Sequence, residues 1–444
     1  MIGQFNGNEN QGEMLKTSCM VAVPKTGAAI FKGVVMQASK IQAGFAALSI
    51  VVLLMSACGG GGGGGGSTTT GTSMVLSAYV ANYFDGTISQ YTINSSTGAL
   101  TPKTPATVVS TPGNSNSLPT SIAVAVDATG NGKYAYVANS FADISQFTIG
   151  SGGVLQPMNP ATVSSGPFGL SPTSVAVDPS GKYLYAANPS GNEVAQFNIN
   201  PTTGVLTSMT QATVCAIPPQ QAPCTIPASG YSSYAYVTVD PRGKYVYVTN
   251  QNDNSVSQFT INPTTGALTP MGTATVPTGS APISIAVDPF DTYAYVVNYG
   301  SGVQSTITQY SIAGVTSATP GALTFASTAA PTQLNNATSI VIDHKGTYAY
   351  VANGSGLYQL PIKSDGSLNT GPSVGPIVTG GTAQQSVAID PADKFVYVAN
   401  KYNQTAMTGS VSHFSIDTGG ALSLQNQINA GGLAYFITTA VSIQ

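Results

Sequence analysis

Short apolar stretches separated by polar turns recur along most of the chain. The clearest repeat is the phrase Tyr-x-Tyr-Val-x-Asn or a close variant, whose closing asparagines lie 47 to 62 residues apart. The seven copies end at Asn82, Asn139, Asn188, Asn250, Asn298, Asn353 and Asn400. Runs of β-branched and aromatic residues bounded by turn residues are typical of β-strands. Each copy therefore predicts one strand of a repeated unit.

In each copy except the first, the phrase is accompanied by three further predicted strands, one before it and two after it. An apolar stretch ending in an Asp-Pro turn, residues 284–289, precedes the phrase. In the fourth unit, residues 256–261 form a further strand after it, and a turn at residues 262–266 leads to a looser fourth strand. No stretch of ten or more residues shows helical periodicity. The pattern predicts units of four strands joined by Pro, Gly and Asn turns.

Seven four-stranded units of about 50 residues predict an all-β fold, a seven-bladed β-propeller. A solenoid would need no closure, but the two ends of the repeat region favour a ring. The first unit lacks its leading strand, and the chain ends with one extra strand, residues 435–443. That strand can complete the first blade and remove an exposed edge, whereas six or eight blades would leave one end unpaired.

Charge is scarce, and this excludes several classes of protein. Charged residues make up 7% of the 444 residues and the net charge is -3, whereas roughly 25% is usual. Without a basic cluster we expect no nucleic-acid partner. An apolar content of 42% argues against disorder.

The N-terminal 57 residues have the features of a targeting segment. Lys25, Lys32 and Lys40 precede an uncharged stretch, residues 41–57, with an apolar core at residues 46–54. The stretch ends in small residues before Cys58 and resembles the lipobox of bacterial lipoprotein signal peptides, with Met55 where Leu is commoner. This resemblance implies that residues 1–57 are removed and that Cys58 carries a lipid. An uncleaved membrane anchor is the alternative, although 17 residues are at the short limit for a span.

Eight consecutive glycines follow Cys58, within residues 58–73. A phosphate-binding loop would continue with Gly-Lys-Ser/Thr, which is absent from this segment. We therefore expect a flexible tether reaching about 20 Å between the lipid and a propeller at residues 74–444. These features predict an exported protein that is anchored to the bacterial cell envelope through its lipid, on its periplasmic or outer-membrane side.

Two cysteines remain in the predicted propeller, Cys215 and Cys224, on either side of a proline-rich loop. An oxidising periplasm favours a disulfide between them. A metal site would need more ligands, and the chain has only two histidines, His344 and His413.

The repeat phrase Asp-Pro-x-Gly-Lys-Tyr-x-Tyr-Val-x-Asn resembles that of the lactonase, or 6-phosphogluconolactonase-like, seven-bladed propellers and the related YVTN repeats. The resemblance covers about residues 74–444. It implies the propeller fold, while its relatives include sugar-lactone hydrolases and a muconate cycloisomerase, so the repeat specifies fold and not chemistry.

The repeat positions predict which polar residues are structural. One aspartate per unit opens a tight turn and is expected to cap it with its own side chain: Asp127, Asp178, Asp240, Asp288, Asp343 and Asp390. One glutamine per unit, replaced by His413 in the seventh, is expected to hydrogen-bond between blades. His344 lies in one of the Asp turns, on the face opposite the predicted ligand face.

The loops after the closing asparagines are the candidate functional face. They hold four acids and one cation, which are the candidate catalytic residues: Asp85, Asp143, Glu193, Asp253 and Lys401. The same loops also hold Tyr83, Tyr299, Tyr402 and Asn403. If the acids converge at the mouth of the channel, they could bind a divalent cation or polarise a water for attack on a lactone. Alternatively they cap exposed turns. We expect no other cofactor.

Two functional hypotheses remain. The first is a lipid-anchored binding or interaction module for a carbohydrate or protein. The second is hydrolysis of a sugar lactone by the loop carboxylates. A phosphorylated substrate normally requires Arg or Lys clamps, and Lys401 is the only cation predicted on the candidate face.

Overall fold

The computed structural model describes residues 74–114, 117–127, 129–140, 143–166, 171–216, 235–300, 304–371, 377–403, 408–430 and 434–443. The predicted signal segment 1–57, Cys58 and the tether to residue 73 lie outside the described residues. Within the described part, two single-turn 3-10 helices, Ser151–Gly153 and Pro189–Gly191, are the only helices. No helix there is long and apolar enough to cross a membrane.

Twenty-seven strands make up the described fold. In chain order they are β1 Met74–Asn82, β2 Thr87–Ile93, β3 Leu100–Val109, β4 Pro119–Val126, β5 Gly132–Asn139, β6 Asp143–Ile149, β7 Leu155–Ser164, β8 Ser174–Val177, β9 Tyr183–Asn188, β10 Glu193–Ile199, β11 Leu206–Cys215, β12 Val237–Val239, β13 Tyr245–Asn250, β14 Ser255–Ile261, β15 Leu268–Pro277, β16 Pro282–Val287, β17 Tyr293–Asn298, β18 Thr306–Ile312, β19 Leu323–Ala329, β20 Ser339–Ile342, β21 Tyr348–Asn353, β22 Gly356–Pro361, β23 Gly381–Ile389, β24 Phe395–Asn403, β25 Ser410–Ile416, β26 Leu422–Asn429 and β27 Ala434–Ile443.

These strands form seven antiparallel sheets, so the predicted all-β, seven-bladed propeller is confirmed. From the axis outwards the blades are β27-β1-β2-β3, β4 to β7, β8 to β11, β12 to β15, β16 to β19, β20 to β22 and β23 to β26, numbered here as blades 1 to 7. The first strand of each blade is innermost, because these strands contact one another in a closed circle: β4, β8, β12, β16, β20, β23, β27 and again β4.

Blade 6 departs from the expected four strands. Its described residues form three strands, and two isolated bridges, Leu357 with Ile377 and Ile362 with Leu368, lie beyond them. The sequence there is rich in proline and glycine, with Pro361, Gly371 and two further prolines before residue 377. Proline cannot donate a ladder hydrogen bond, and glycine weakens a strand.

The last strand closes the ring, as the sequence predicts. β27 pairs antiparallel with β1 from Met74 opposite Ile443 to Asn82 opposite Ala434. Blade 1 therefore combines both ends of the propeller, and the edge that β1 would otherwise expose is paired.

A buried tyrosine occupies the same repeat position in all seven blades. Six of these tyrosines donate their hydroxyl hydrogen to a glycine carbonyl in the following blade, a contact that we call the tyrosine clasp. The six pairs are Tyr79–Gly153 at 2.6 Å, Tyr136–Gly204 at 2.6 Å, Tyr185–Gly266 at 2.7 Å, Tyr247–Gly321 at 2.6 Å, Tyr295–Gly366 at 2.9 Å and Tyr397–Gly98 at 2.8 Å. Glycine is required at Gly204 because φ is +74° and a Cβ would lie 2.3 Å from the Tyr134 ring.

The recurring glutamines form a second tie, here called the glutamine bridge, which confirms their predicted role. Gln196, for example, donates to the Gln211 carbonyl of its own blade at 3.0 Å and accepts from the Leu268 N–H of the next at 2.6 Å. The same acceptor contact is made by Gln90, Gln146, Gln258 and Gln309.

The propeller has two faces with different connections. The turn face carries the tight turns from the first to the second strand and from the third to the fourth strand of each blade. The loop face carries the connections from the second to the third strand and those between blades.

Candidate functional site

The recurring aspartates of the turn face are structural, as predicted. The Asp178 carboxylate accepts the backbone N–H groups of Lys182 at 2.8 Å and Tyr183 at 2.7 Å. Asp240, Asp288, Asp343 and Asp390 make the equivalent pair of contacts. Asp127 caps a turn two residues longer, through Thr129 and Asn131. These carboxylates therefore accept hydrogen bonds from the backbone of the turns that they open.

Both histidines also have structural surroundings. His413 is buried, stacks on Tyr397 with ring centroids 5.3 Å apart, and lies 3.2 Å from Asn426 of its own blade through its Nδ1. The expected hydrogen bond from His413 to a neighbouring blade is not observed, because its Nε2 has no partner in the described structure. Burial lowers the pKa of His413. His344 lies on the turn face, as predicted, with its Nδ1 2.6 Å from Asp393. The hydrogen bond to Asp393 raises the pKa of His344.

The four candidate acids occupy the loop face, one on each of blades 1 to 4. Asp85 is exposed in the loop between β1 and β2, and Asp253 lies in the turn before β14. Asp143 begins β6 and accepts from Asn139 at 2.6 Å and from Thr111 at 3.4 Å. Burial raises the pKa of Asp143. Asp143 thus resembles the turn-capping alternative more than a free catalytic group.

Glu193 is the most buried of the four acids. It begins β10, is 3% exposed, and its Oε2 has no hydrogen-bond partner in the described structure. Burial raises its pKa, because the charged form loses hydration that no partner replaces. A carboxyl group of this kind is suited to proton transfer.

The described residues do not support convergence of these acids on the channel mouth. Among the described residues, which include all four, no group of three or more His, Cys, Asp or Glu side chains could hold a metal ion. The reason is positional: each acid lies between the second and third strands of its blade, outside the innermost circle of strands. The described residues therefore give no support to the divalent-cation hypothesis.

The described residues of the innermost strands that line the channel mouth are uncharged. The seven innermost strands contain no Asp, Glu, Lys, Arg or His over their described ranges. A small cavity of about 20 Å³ lies at their loop-face ends, enough for about one water. Its lining includes Tyr236, Ile283, Thr338, Gln385, Tyr435 and Phe436. Aromatic, hydroxyl and amide side chains thus surround the axis.

Two of these aromatic residues interrupt a serine pattern. The strand register places Tyr236 and Phe436 at the position that Ser174 occupies in blade 3. Serine also stands there in the other four blades. In this position Ser174 accepts from the Val237 N–H of the next innermost strand at 3.3 Å. The replacement of serine in two repeats is the signal by which the sequence could have identified the mouth.

An aromatic cluster adjoins the mouth where blades 7 and 1 meet. The Tyr83 ring lies 4.9 Å from Phe84 and 5.1 Å from Tyr435, centroid to centroid. Lys401 Nζ lies 6.0 Å from the Phe84 ring centroid. Phe84 is 56% exposed, and burial raises the pKa of Tyr435 to about 12. We call Tyr83, Phe84, Tyr435 and Lys401 the aromatic corner.

Lys401 is the only sequence-predicted candidate that belongs to this corner. Sequence analysis places Tyr83 in the loops of the same face, but it does not bring Tyr435 to them, because Tyr435 lies more than 350 residues from Tyr83. Closure of the ring by β27 brings them together.

The predicted disulfide falls partly outside the described structure. Cys215 ends β11 and is buried, and it stands opposite Glu193 in the strand register. Cys224 lies outside the described residues, so the pairing stays a prediction.

Comparisons with known proteins agree with the fold. The model of the family "Lactonase, 7-bladed beta-propeller" matches residues 74–219 and 222–318, more than half of the chain. A "Probable 6-phosphogluconolactonase" of Arthroderma benhamiae is 28% identical over 106 residues, which span 22% of this chain and 23% of that protein. The chain therefore aligns with less than a quarter of this curated relative.

Solved structures of similar fold have low sequence identity. A protein from Lactobacillus plantarum superposes with a TM-score of 0.63 at 21% identity, over 82% of this chain and 99% of its own. The periplasmic gluconolactonase of Pseudomonas aeruginosa superposes with a TM-score of 0.62 at 17% identity, over 83% of this chain and 99% of its own. At this level of identity the similarity shows the fold alone. Together with the family match, it establishes that the chain belongs to the lactonase family of seven-bladed β-propellers.

Proposed function

We propose that this propeller is a binding module of the bacterial cell envelope whose loop face binds a neutral carbohydrate or sugar lactone at the aromatic corner. The observation that carries the proposal is the uncharged channel mouth beside exposed aromatic rings. Aromatic faces and hydroxyl or amide groups suit a ligand with an apolar ring face and several hydroxyls. In the described part of this face, Lys401 is the only cation that could bind a phosphate group.

The proposed lipid on Cys58 would hold the propeller at a membrane surface. The supporting features are the lipobox-like sequence and the glycine tether. Expression of the full chain and a Cys58→Ala variant tests this part: the wild type should partition with membranes and carry the lipid by mass spectrometry, and the variant should do neither.

Titration of the purified full chain with D-glucono-1,5-lactone and D-glucose tests the ligand class. We expect saturable binding of at least one of them, weaker binding of a 6-phosphorylated sugar, and a loss of about tenfold in affinity for Phe84→Ala. Phe325→Ala is the matched control, because Phe325 is 60% exposed on the outer strand β19. Equal affinity in both variants would overturn the assignment of the aromatic corner.

Hydrolysis of a neutral lactone is the second candidate function, and the environment of Glu193 favours it. A buried carboxyl with a raised pKa and an oxygen that has no partner in the described structure can serve as a proton acceptor. If the protein opens glucono-1,5-lactone faster than buffer does, Glu193→Gln should abolish the excess rate. Asp85→Asn, an exposed loop acid, is the control and should retain it.

A further inference from the structure

The chain enters the propeller on the turn face. β1 is the second strand of blade 1, and its last residue, Asn82, leads into the loop-face connection to β2. Its first residue, Met74, is therefore at the opposite end, where it pairs with Ile443 of β27. Fifteen residues separate Cys58 from Met74 in the sequence. A lipid on Cys58 would thus be connected to the propeller through the turn face.

Cations are concentrated on this face. Residues 74–444 contain nine Lys and Arg residues. Lys103 is buried on β3, with 8% of its surface exposed, and Lys401 lies on the loop face. The other seven stand in or beside the turns of the turn face and are exposed: Lys133, Lys182, Arg242, Lys244, Lys345, Lys363 and Lys394. They belong to blades 2, 3, 4, 6 and 7, so they are distributed around the ring.

The lysines of this set form no ion pair within the described structure, whose ion pairs on this face join Arg242 to Asp291 and His344 to Asp393. The carboxylates that cap the turns are buried, at most 5% exposed, and accept backbone N–H groups: Asp178, Asp240, Asp288, Asp343 and Asp390. The exposed acids of the face are Asp127, Asp365 and Asp417. Six unpaired ammonium groups therefore outnumber the three exposed carboxylates.

The buried carboxylates limit the range of this attraction. They offset the lysines at long distance, so an anionic partner is attracted only in close contact, within about one Debye length of 8–10 Å. A single bound anion needs several donors that converge on it, whereas these lysines come from separate blades. Separated ammonium groups around a ring suit an extended array of phosphates, which a phospholipid surface provides.

An exposed aromatic side chain lies among these cations. Phe290 stands in the turn between β16 and β17, is 57% exposed, and its carbonyl accepts from Arg242 Nη2 at 3.0 Å. Exposed aromatic side chains beside Lys and Arg are the combination by which peripheral proteins bind at the headgroup boundary of a membrane. Phe290 is thus a second, apolar feature of the turn face that points to a lipid surface.

We propose that the turn face lies against a membrane surface of anionic phospholipids, with its lysines at the headgroup phosphates and Phe290 between the headgroups. This orientation rests on the proposed lipid on Cys58, which holds the face close to the membrane. The loop face and its aromatic corner then point away from the membrane, towards a soluble ligand.

Vesicle sedimentation tests the face without the anchor. Residues 70–444 form one compact unit that contains all the described strands, so this chain retains the propeller and lacks Cys58. It should bind phosphatidylglycerol vesicles at low ionic strength at least tenfold more tightly than phosphatidylcholine vesicles. High salt should abolish the difference.

Neutral variants identify the residues responsible. Lys182→Gln, Lys244→Gln and Lys394→Gln combined should weaken binding to phosphatidylglycerol at least tenfold. These lysines bond the capping aspartates through their backbone N–H groups, which glutamine retains, and an unchanged unfolding temperature would verify the fold. Lys401→Gln is the same change on the loop face and should leave binding unchanged.

A further pair of variants tests the apolar contact. Phe290→Ala should weaken binding to phosphatidylglycerol severalfold. Phe325→Ala, which removes an equally exposed ring on the outer strand β19, should not.

Fluorescence quenching tests the orientation of the full chain on vesicles. A fluorophore on the Ala392→Cys variant reports the turn face and one on the Ser280→Cys variant reports the loop face, and both positions are exposed. The unsubstituted chain is the labelling control. A quencher on the lipid headgroups should reduce the emission of the Ala392→Cys variant severalfold more.

Four results would overturn the proposal: equal quenching at the two positions, equal binding of residues 70–444 to both kinds of vesicle, unchanged binding of the triple lysine variant, or displacement from vesicles by millimolar inorganic phosphate. The last would indicate a site for a single anion. A full chain without a lipid on Cys58 would contradict the anchor alone, because selective binding of residues 70–444 to phosphatidylglycerol would still support the face.

Discussion

At the scale of single residues, two aspartates of the turn face have opposite electrostatic surroundings. Asp291 and Asp393 occupy the same turn position in blades 5 and 7, with φ of 54° and 52°. Glycine stands at the equivalent position of blade 3, where φ is 68° at Gly181. Both aspartates thus adopt a conformation that glycine tolerates better.

Their pKa shifts differ in sign. Burial and the nearby Asp240 carboxylate raise the pKa of Asp291 to about 7, although Arg242 lies 2.9 Å away. Burial alone would raise the pKa of Asp393 too, but hydrogen bonds from His344 hold it below the ordinary value. Charge on Asp291 therefore opposes folding, and charge on Asp393 supports it.

We predict that Asp291→Gly stabilises the protein by roughly 0.5–1 kcal/mol. The gain should increase as the pH rises from about 4 to 7, because the raised pKa makes the folded state bind the Asp291 proton more tightly. The measurement is the free energy of unfolding in denaturant at several pH values.

Asp393→Gly is the comparison. This variant should be less stable than the wild type at pH values between the ordinary carboxyl pKa and the pKa of His344, because both partners of the pair are charged there. The difference in stability should become smaller at lower and at higher pH. Equal pH profiles for the two glycine variants would contradict the assignment of their partners.

At the scale of strands and blades, repeated positions explain which features the sequence predicts correctly. The capping aspartates and the bridging glutamines recur in most units, so the same backbone environment recurs around them. Closure of blade 1 follows from a missing strand at one end and a surplus strand at the other. These inferences need only the local pattern of one unit and the number of units.

The sequence does not predict the features in which one unit differs structurally from the others. The sequence predicts that Tyr350 of blade 6 makes one more clasp, but the Gly420 carbonyl of the next blade accepts the Gln359 side-chain N–H instead. The four loop acids share a face, but the sequence does not give their distance from the axis. The aromatic corner combines chain ends whose neighbourhood exists only after closure.

Removal of the glutamine bridge should lower the free energy of unfolding. Gln196→Leu leaves the buried Leu268 N–H without its acceptor and should lower the free energy of unfolding by about 1–3 kcal/mol. Gln425→Leu, on the exposed face of β26, should change it by less than about 0.5 kcal/mol. If urea unfolding gave equal values for the two variants, the bridge would not be a stabilising contact.

At the scale of the whole molecule, one strand pair determines whether the propeller is a ring. β27 pairs with β1 and contacts both β23 and β4. A chain ending at Ala430 would lack this strand and leave the edge of β1 unpaired.

We predict that the chain ending at Ala430 unfolds at lower temperature and associates into oligomers. A synthetic peptide of residues 431–444 should bind to the open edge by strand addition and restore the monomer. Size-exclusion chromatography and thermal unfolding, with and without the peptide, are the measurements. A truncated chain that remained monomeric with unchanged unfolding would show that closure is dispensable.

The pairing of the first described strand with the last also sets the order of folding. Blades 2 to 7 consist of consecutive strands and can form as the chain emerges, but β1 lacks its inner neighbour until the final residues are present. Contacts so distant in sequence form late and slowly. The nascent protein therefore carries an incomplete first blade until residues 434–443 have left the ribosome, and the ring can close only then.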